Sequence, residues 1–312
     1  MKTPKEAPLW QQKIALGLIK LVAWTPQWLK TTLIAFVARL LIILPLANNK
    51  KRIALINYRI AFAGQSDAYY RRLLAENIRH LLTLMMEVCQ IWVRGATPLF
   101  NHVTIDDQAQ LNTFEQDNAS SGILLITPHL GNWELFGLWF AKRYGIHAMF
   151  KPSSMPALDR LITQGRQQFG GETLTADQKG VVQLFKLLKK KEIVLRLPDH
   201  MPKEGGTHVP FLGHIAYTET LNAKLLQKLP DTQVYVGAMI RQKAGFTLLL
   251  NKIELYHNEP QQSLTADQIT TKINQAMADL IEEHPEQYHW FYERFRRLPK
   301  GMTHPYRKKK AR

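Results

Sequence analysis

The chain has 312 residues, 46% hydrophobic and 21% charged, which excludes a disordered polymer and leaves ample length for a buried core. Lys and Arg number 41 against 25 Asp and Glu, and a surplus of 16 positive charges points to an acidic partner: nucleic acid, anionic lipid or an acidic protein. The single cysteine, Cys89, excludes a disulfide framework or a cysteine zinc cluster; it lies in an apolar helical run and reads as a core residue.

Residues 1–13 are polar and carry Lys2, Lys5 and Lys13. Two apolar stretches follow, 14–24 and 31–47, separated by Thr25-Pro26-Gln27, and the second is broken by Arg39. Neither reaches the roughly 18 uninterrupted apolar residues of a clear transmembrane helix, and together they are too long for a signal peptide. Trp10, Trp24 and Trp28 beside lysines have the composition of a membrane interface. Residues 9–47 are therefore read as a membrane anchor, either one tilted span or a helix lying in the interface; a buried helical hairpin is the alternative. The cationic cluster at 48–52 suits an anionic leaflet.

Residues 53–94 read as helical, with Leu74, Ile78, Leu81, Leu82, Met85, Cys89 and Trp92 forming a buried stripe and nothing catalytic among them. A short strand at 102–105 and a helix lead into an apolar strand at 123–127. Further strands are expected at 146–151, 192–197, 233–241 and 246–255, the last two as a hairpin turning at 243–245. Helices are expected at 156–168, 178–191, 221–229 and 269–283, and 203–207 reads as a flexible loop. This alternation argues an α/β fold, a mixed central sheet flanked by helices on both faces, with an N-terminal hydrophobic membrane-anchoring helix. The organisation expected is an anchor at 1–50, a single domain at 51–300 and a basic tail at 301–312.

The most informative stretch is 122–137, GILLITPHLGNWELFG. The strand runs into a turn at 128–131, and Asn132 is a good N-cap for a helix opening at Trp133. His129 thus stands at the carboxyl end of a strand, where open α/β sheets place their ligands. His129 and Glu134 are five residues apart, about 140° around a helix axis, so they face each other only if His129 sits in the turn and Glu134 in the first helical turn. A carboxylate on Nδ1 would fix the tautomer and leave Nε2 as a general base. The plainer reading is a turn-capping histidine beside an ordinary first-turn acid. A second charged group, Asp199, follows the strand at 192–197; after Pro198 it also reads as a simple turn residue. His200 and His208 lie near Asp199 in sequence, but the spacing matches no metal site, and no metal or cofactor is expected.

The stretch resembles the H-x4-D/E motif of glycerolipid-type acyltransferases, and its HLGNWE form is closest to the bacterial lipid A late acyltransferases, the lauroyl/myristoyl transferase family. NYRIAF at 57–62, Phe150-Lys151-Pro152, Gly165-Arg166, Leu197-Pro198-Asp199, VPFLG at 209–213 and PEQYHWFYERF at 285–295 resemble blocks of the same family in the same order, over roughly residues 50–300. Two departures stand out: His200 where the family more often has glutamine, and Tyr292-Glu293 in place of a His-Arg pair.

The resemblance implies a glycerolipid acyltransferase-like fold. It implies transfer of a fatty acyl chain from acyl carrier protein to a hydroxyl of a Kdo-bearing lipid A precursor, at the cytoplasmic face of the inner membrane. His129 would be the general base and Glu134 its orienting partner. Arg166 would bind a phosphate or the developing oxyanion, Asp199 would position substrate or Arg166, and Lys151 and Asn132 would complete the substrate contacts. The implied partners are acyl carrier protein, the anionic lipid A precursor and inner-membrane lipids, with no nucleic acid. An acyltransferase acting on a glycerol phosphate or glycolipid is the nearest alternative. A basic membrane-associated protein that binds nucleic acid or lipid without catalysis is the alternative from another class, and no binding motif for it is visible.

Overall fold

The computed structural model describes residues 7–150, 153, 155–171, 173–255 and 264–307. Two apolar helices, α1 (Leu9–Trp24) and α2 (Gln27–Ile43), precede α3 (Asn48–Ala61) and the long α4 (Asp67–Arg94). The chain continues through α5 (Thr97–Phe100), β1 (Val103–Ile105), α6 (Gln108–Ser120), β2 (Ile123–Ile126), α7 (Trp133–Tyr144) and β3 (His147–Phe150). Next come α8 (Pro156–Arg166), β4 (Thr173–Thr175), α9 (Gln178–Lys189), β5 (Ile193–Arg196) and a hairpin of β6 (Gly206–Phe211) and β7 (His214–Glu219). Helix α10 (Leu221–Lys228), β8 (Gln233–Gln242), β9 (Gly245–Lys252) and α11 (Ala266–Glu283) lead to a short 3-10 turn, Pro285–Gln287.

Seven strands form one sheet in the order β1-β9-β8-β2-β5-β3-β4, parallel throughout except at the β8–β9 hairpin. The central strand β2 is apolar and buried at every position because both faces of the sheet are covered. On β2, Leu124 and Ile126 join the core beneath α9, α10 and α11, while Ile123 and Leu125 join the core beneath α6 and α7. This is the mixed α/β sheet flanked by helices that the alternation predicts.

Three local expectations need correction. Among the described residues no single helix is long and apolar enough to cross a membrane: the apolar N-terminus is two helices meeting at a bend of 119°. Both are docked rather than free. Lys30 of α2 donates to Gln90 of α4 at 2.9 Å, Arg94 lies 4.7 Å over the Trp24 ring, and Gln12 of α1 accepts from the Ala157 N–H of α8 at 3.1 Å. Their outward faces keep Leu9, Trp10, Leu18, Trp28 and Phe36 exposed. Second, the buried stripe of α4 is turned by about one residue from the expected one: Leu73, Asn77, Ile78, Leu84 and Ile91 are buried, and Met85 is 59% exposed. Third, residues 206–219 form an antiparallel hairpin. Its two-residue turn, Leu212-Gly213, has φ of 49° and 71°. Positive φ at both positions matches the twist of the strands, but a leucine there gives no sequence signal.

Candidate active site

Strands β2 and β5 are parallel neighbours in register, Ile126 opposite Arg196. Each then runs on for one residue into a proline and a charged residue, Thr127-Pro128-His129 and Leu197-Pro198-Asp199. The pairing continues beyond the strands, since the Thr127 N–H donates to the Arg196 carbonyl at 3.1 Å. Positions 129 and 199 therefore meet above the carboxyl edge of the sheet, and His129 Nδ1 lies 2.8 Å from Asp199 Oδ1. The His129 backbone N–H donates to Asp199 Oδ2 at 3.1 Å, and the Tyr288 hydroxyl donates to the same oxygen at 3.0 Å.

Asp199 is fully buried. Burial by itself disfavours its charge, but the facing His129 and the hydrogen bonds outweigh that and hold the carboxyl well below the usual carboxylate range. An ionised carboxylate only accepts, so Nδ1 of His129 carries the proton and Nε2 is left as a hydrogen-bond acceptor. The His129 side chain is 21% exposed, so this nitrogen belongs to a group that solvent or substrate can reach.

The turn holding His129 is sutured on two sides. Gly131 has φ +60°, and a Cβ there would lie 2.1 Å from the Met239 carbonyl oxygen. The glycine lets the loop lie against β8, where the Asn132 N–H donates to that carbonyl at 2.8 Å. The C-terminal segment closes the other side: the His289 N–H donates to the His129 carbonyl at 3.0 Å and the Gly131 N–H to the Gln287 carbonyl at 3.2 Å. Two buried asparagines hold that segment. Asn77 of α4 donates to the carbonyls of Glu286 and Tyr288, and Asn57 of α3 to those of Trp290 and Tyr292, all between 2.7 and 2.9 Å. The 53–94 region thus contributes to the site indirectly, through polar residues the apolar pattern does not reveal.

Glu134 is not the partner of His129. Its carboxylate turns to Arg166 at the end of α8 and accepts from both Nε, at 3.0 Å, and Nη2. Position 134 lies on the face of α7 that looks across a cavity to α8, whereas Asp199 is delivered to Nδ1 by strand register. The guanidinium fork expected to bind phosphate or oxyanion is therefore spent largely on Glu134; Arg166 also lies 5.6 Å over the Phe150 ring. Burial opposes its charge, and Glu134 more than restores it, so Arg166 stays protonated.

Asn132 caps α7 as expected, accepting from the Leu135 N–H at 2.9 Å, but its amide donates to Glu87 at 2.9 Å and the residue is fully buried. It is a buried cap of α7. Lys151 lies outside the described residues. Asp199, which the resemblance puts at substrate or at Arg166, bonds to His129.

His129 and Glu134 both line a cavity of about 360 Å³. One wall is the face of α7 carrying Trp133, Gly137, Leu138 and Ala141; the opposite wall includes Met149 and Leu195. The wall from Trp133 to Ala141 is about 12 Å long at 1.5 Å per residue. Apart from the Glu134–Arg166 pair and the histidines at its mouth, the lining is predominantly apolar. The arrangement places the His129 imidazole beside a predominantly apolar slot.

The two departures noted in the sequence converge here. The His200 ring stacks on His129 at 4.0 Å and 7°, and Tyr292 stacks on the far side of His200 at 4.1 Å and 17°. Burial lowers the pKa of His200 to about 4; Asp199 opposes the shift, and His129, His289 and Arg294 add to it. His129, Asp199 and His200 offer donor atoms within 4.8 Å of one another, but face-to-face rings direct their in-plane lone pairs side by side rather than to one point. His208 is exposed on the β6–β7 hairpin, away from this group.

The profile of a family described as bacterial lipid A biosynthesis acyltransferase matches residues 3–297. The chain is similar to a lipid A biosynthesis palmitoleoyltransferase of Escherichia coli (strain K12), 22% identical over 267 residues that cover 84% of each chain. It is also similar to a lipid A biosynthesis lauroyltransferase of the same organism, 23% identical over 80% of each chain. A lipid A biosynthesis acyltransferase of Haemophilus influenzae is 24% identical over 83% of this chain and 82% of its own.

Proposed function

Because this chain belongs to the bacterial lipid A biosynthesis acyltransferase family, we propose that it transfers a fatty acyl chain from acyl carrier protein to a hydroxyl of a Kdo-bearing lipid A precursor, with His129 as general base and Asp199 as its orienting partner. The observation that carries the mechanism is the Asp199–His129 pair at the mouth of the apolar cavity.

In this reading the acyl tail lies in the cavity with its thioester carbonyl at the mouth. Nε2 of His129 takes the proton of the acceptor hydroxyl as that oxygen attacks the carbonyl carbon. Asp199 keeps the ring in the correct tautomer and stabilises the imidazolium that forms. As the tetrahedral intermediate collapses, the C–S bond breaks and the proton passes from Nε2 to the departing thiolate. No covalent acyl-enzyme is required. Cys89 is half-buried on α4, where burial pushes its thiol up, the opposite of what a nucleophile needs. The excess positive charge favours association with an acidic carrier protein and an anionic lipid. The exposed apolar face of α1 and α2 lies in the cytoplasmic leaflet of the inner membrane.

The test is acyl transfer from a set of acyl carrier protein thioesters to lipid A precursors, comparing wild type with His129→Ala, Asp199→Asn and Glu134→Gln. The expected order is loss of turnover in His129→Ala, a fall in kcat of up to about 10⁴-fold in Asp199→Asn, and a smaller effect in Glu134→Gln. Near-normal turnover in folded His129→Ala would remove the base. Transfer by wild type to glycerol phosphate but not to lipid A precursors would keep the chemistry and remove the acceptor.

A further inference from the structure

In the proposed reaction Nε2 of His129 must meet a hydroxyl while the opposite edge of the ring stays bonded to Asp199. The hydrogen bond to Asp199 fixes one edge of the imidazole but leaves the ring free to tilt about that bond. On one face Trp133 touches only edgewise, with ring centroids 5.0 Å apart and planes at 69°. Another ring is in parallel contact: His200, centroids 4.0 Å apart and planes within 7°. His200 is itself backed by Tyr292, at 4.1 Å and 17°, and Tyr292 is tied down where its hydroxyl donates to the Met201 carbonyl at 3.3 Å. The three rings form a continuous stack from the site into the C-terminal segment.

Among the described residues Nε2 of His200 is buried with no hydrogen-bond partner, an arrangement that costs free energy wherever the nitrogen itself has no task. The groups facing it are Asp199, His129, His289, Arg294 and Tyr292. Apart from Asp199 they include cationic or potentially cationic groups, and burial also disfavours a charge on His200, so the ring is held neutral above about pH 4.

We propose that His200, backed by Tyr292, is a positioning residue for the proton transfer: a neutral aromatic plate that holds the His129 ring in plane with Asp199 and presents a π face to the imidazolium as it forms. The proposal rests on His129 being the base. Flat aromatic faces attract cations and pack without directional bonds, so the role belongs to the ring and not to its nitrogens. A phenyl ring should therefore replace it, and a methyl group should not.

The experiment is steady-state acyl transfer, with kcat and KM separated and a thermal unfolding midpoint for each variant. The variants are His129→Ala, His200→Ala, His200→Phe, Tyr292→Leu and Tyr292→Phe. His200→Ala should lower kcat about 10- to 100-fold, the scale of a misaligned reacting group, with KM changed less than about threefold. His200→Phe should return kcat to within about threefold of wild type, and Tyr292→Phe should match it. Tyr292→Leu should lower kcat by about three- to tenfold, and it carries the test if His200→Ala does not fold. Folded His200→Ala with kcat within about twofold of wild type overturns the proposal, as does His200→Phe no better than His200→Ala, which would assign the work to a ring nitrogen. Retained activity in His129→Ala would instead remove the base, a failure distinguishable from that of the plate.

Discussion

At the scale of the residue, the site divides its two carboxylates by environment. Asp199 is ionised, fully buried and committed to His129. Glu134 is paired with Arg166 across the cavity wall, with 6% of its own side chain and 29% of the arginine's exposed. Removing one member of such a pair leaves an uncompensated charge, which costs more than the pair itself contributes. Glu134→Ala should therefore destabilise the fold by about 2 kcal/mol or more, allowing for the partial exposure of Arg166. The double variant Glu134→Ala/Arg166→Ala should recover part of that loss. Denaturant unfolding of the four-member cycle reads the coupling; strictly additive losses would show that the two side chains do not act as a unit.

At the scale of the element, helix α7 borders both His129 and the apolar cavity. Its first turn stands beside His129, and its cavity face is kept low by Gly137 and Ala141. A Cβ on Gly137 would meet Leu195 Cδ2 at 3.0 Å and Ile146 Cδ1 at 3.9 Å, both flexible side-chain ends. Gly137→Leu should thus be accommodated in the fold while filling the slot, and a panel of acyl donors should show the preference moving to shorter chains. An unchanged profile would place the acyl tail elsewhere. The α1–α2 hairpin makes a separate element-scale prediction. Leu18 and Phe36 are 56% and 61% exposed, so replacing both with Asp should leave the thermal midpoint within a few degrees of wild type. The same variant should lower binding to anionic phospholipid vesicles by about tenfold in a sedimentation assay. Undiminished binding would move the membrane contact to another surface.

At the scale of the whole molecule, buried histidines link stability to pH. His80, His200 and His289 are each lowered to about 4, chiefly by burial. Their unfolded value is about 6.5, so between these limits the unfolded chain binds more protons than the folded one. Stability is fully present above pH 6.5 and is lost as pH falls toward 4. Denaturant midpoints should decline across that window, and His200→Phe should flatten the slope by up to about one proton. A midpoint independent of pH between 4 and 6.5 would show that these rings are not held neutral. Asp199 acts in the same direction at lower pH: its folded value is depressed, so its contribution is lost only as pH falls below the ordinary carboxylate range.

Much of the fold was legible because it is written in local patterns. Short runs ending at a proline marked β2, β3 and β5, the Asn132 cap marked the start of α7, and the strand–helix alternation marked a sheet covered on both faces. His129 was legible for the same reason, as a polar residue ending a buried strand. Its partner was not, because the choice between Glu134 and Asp199 depends on which strands are neighbours. Five residues separate His129 from Glu134 in sequence, and seventy separate it from Asp199, yet the parallel register of β2 and β5 brings the distant carboxylate to Nδ1. The matching Pro-His and Pro-Asp steps after the two strands were the available signal, and they acquire meaning only once the strands are known to pair. The same holds for Asn57, Asn77 and the His200–Tyr292 stack: their partners lie 91 to 235 residues away or lie across a ring face, and only packing selects them.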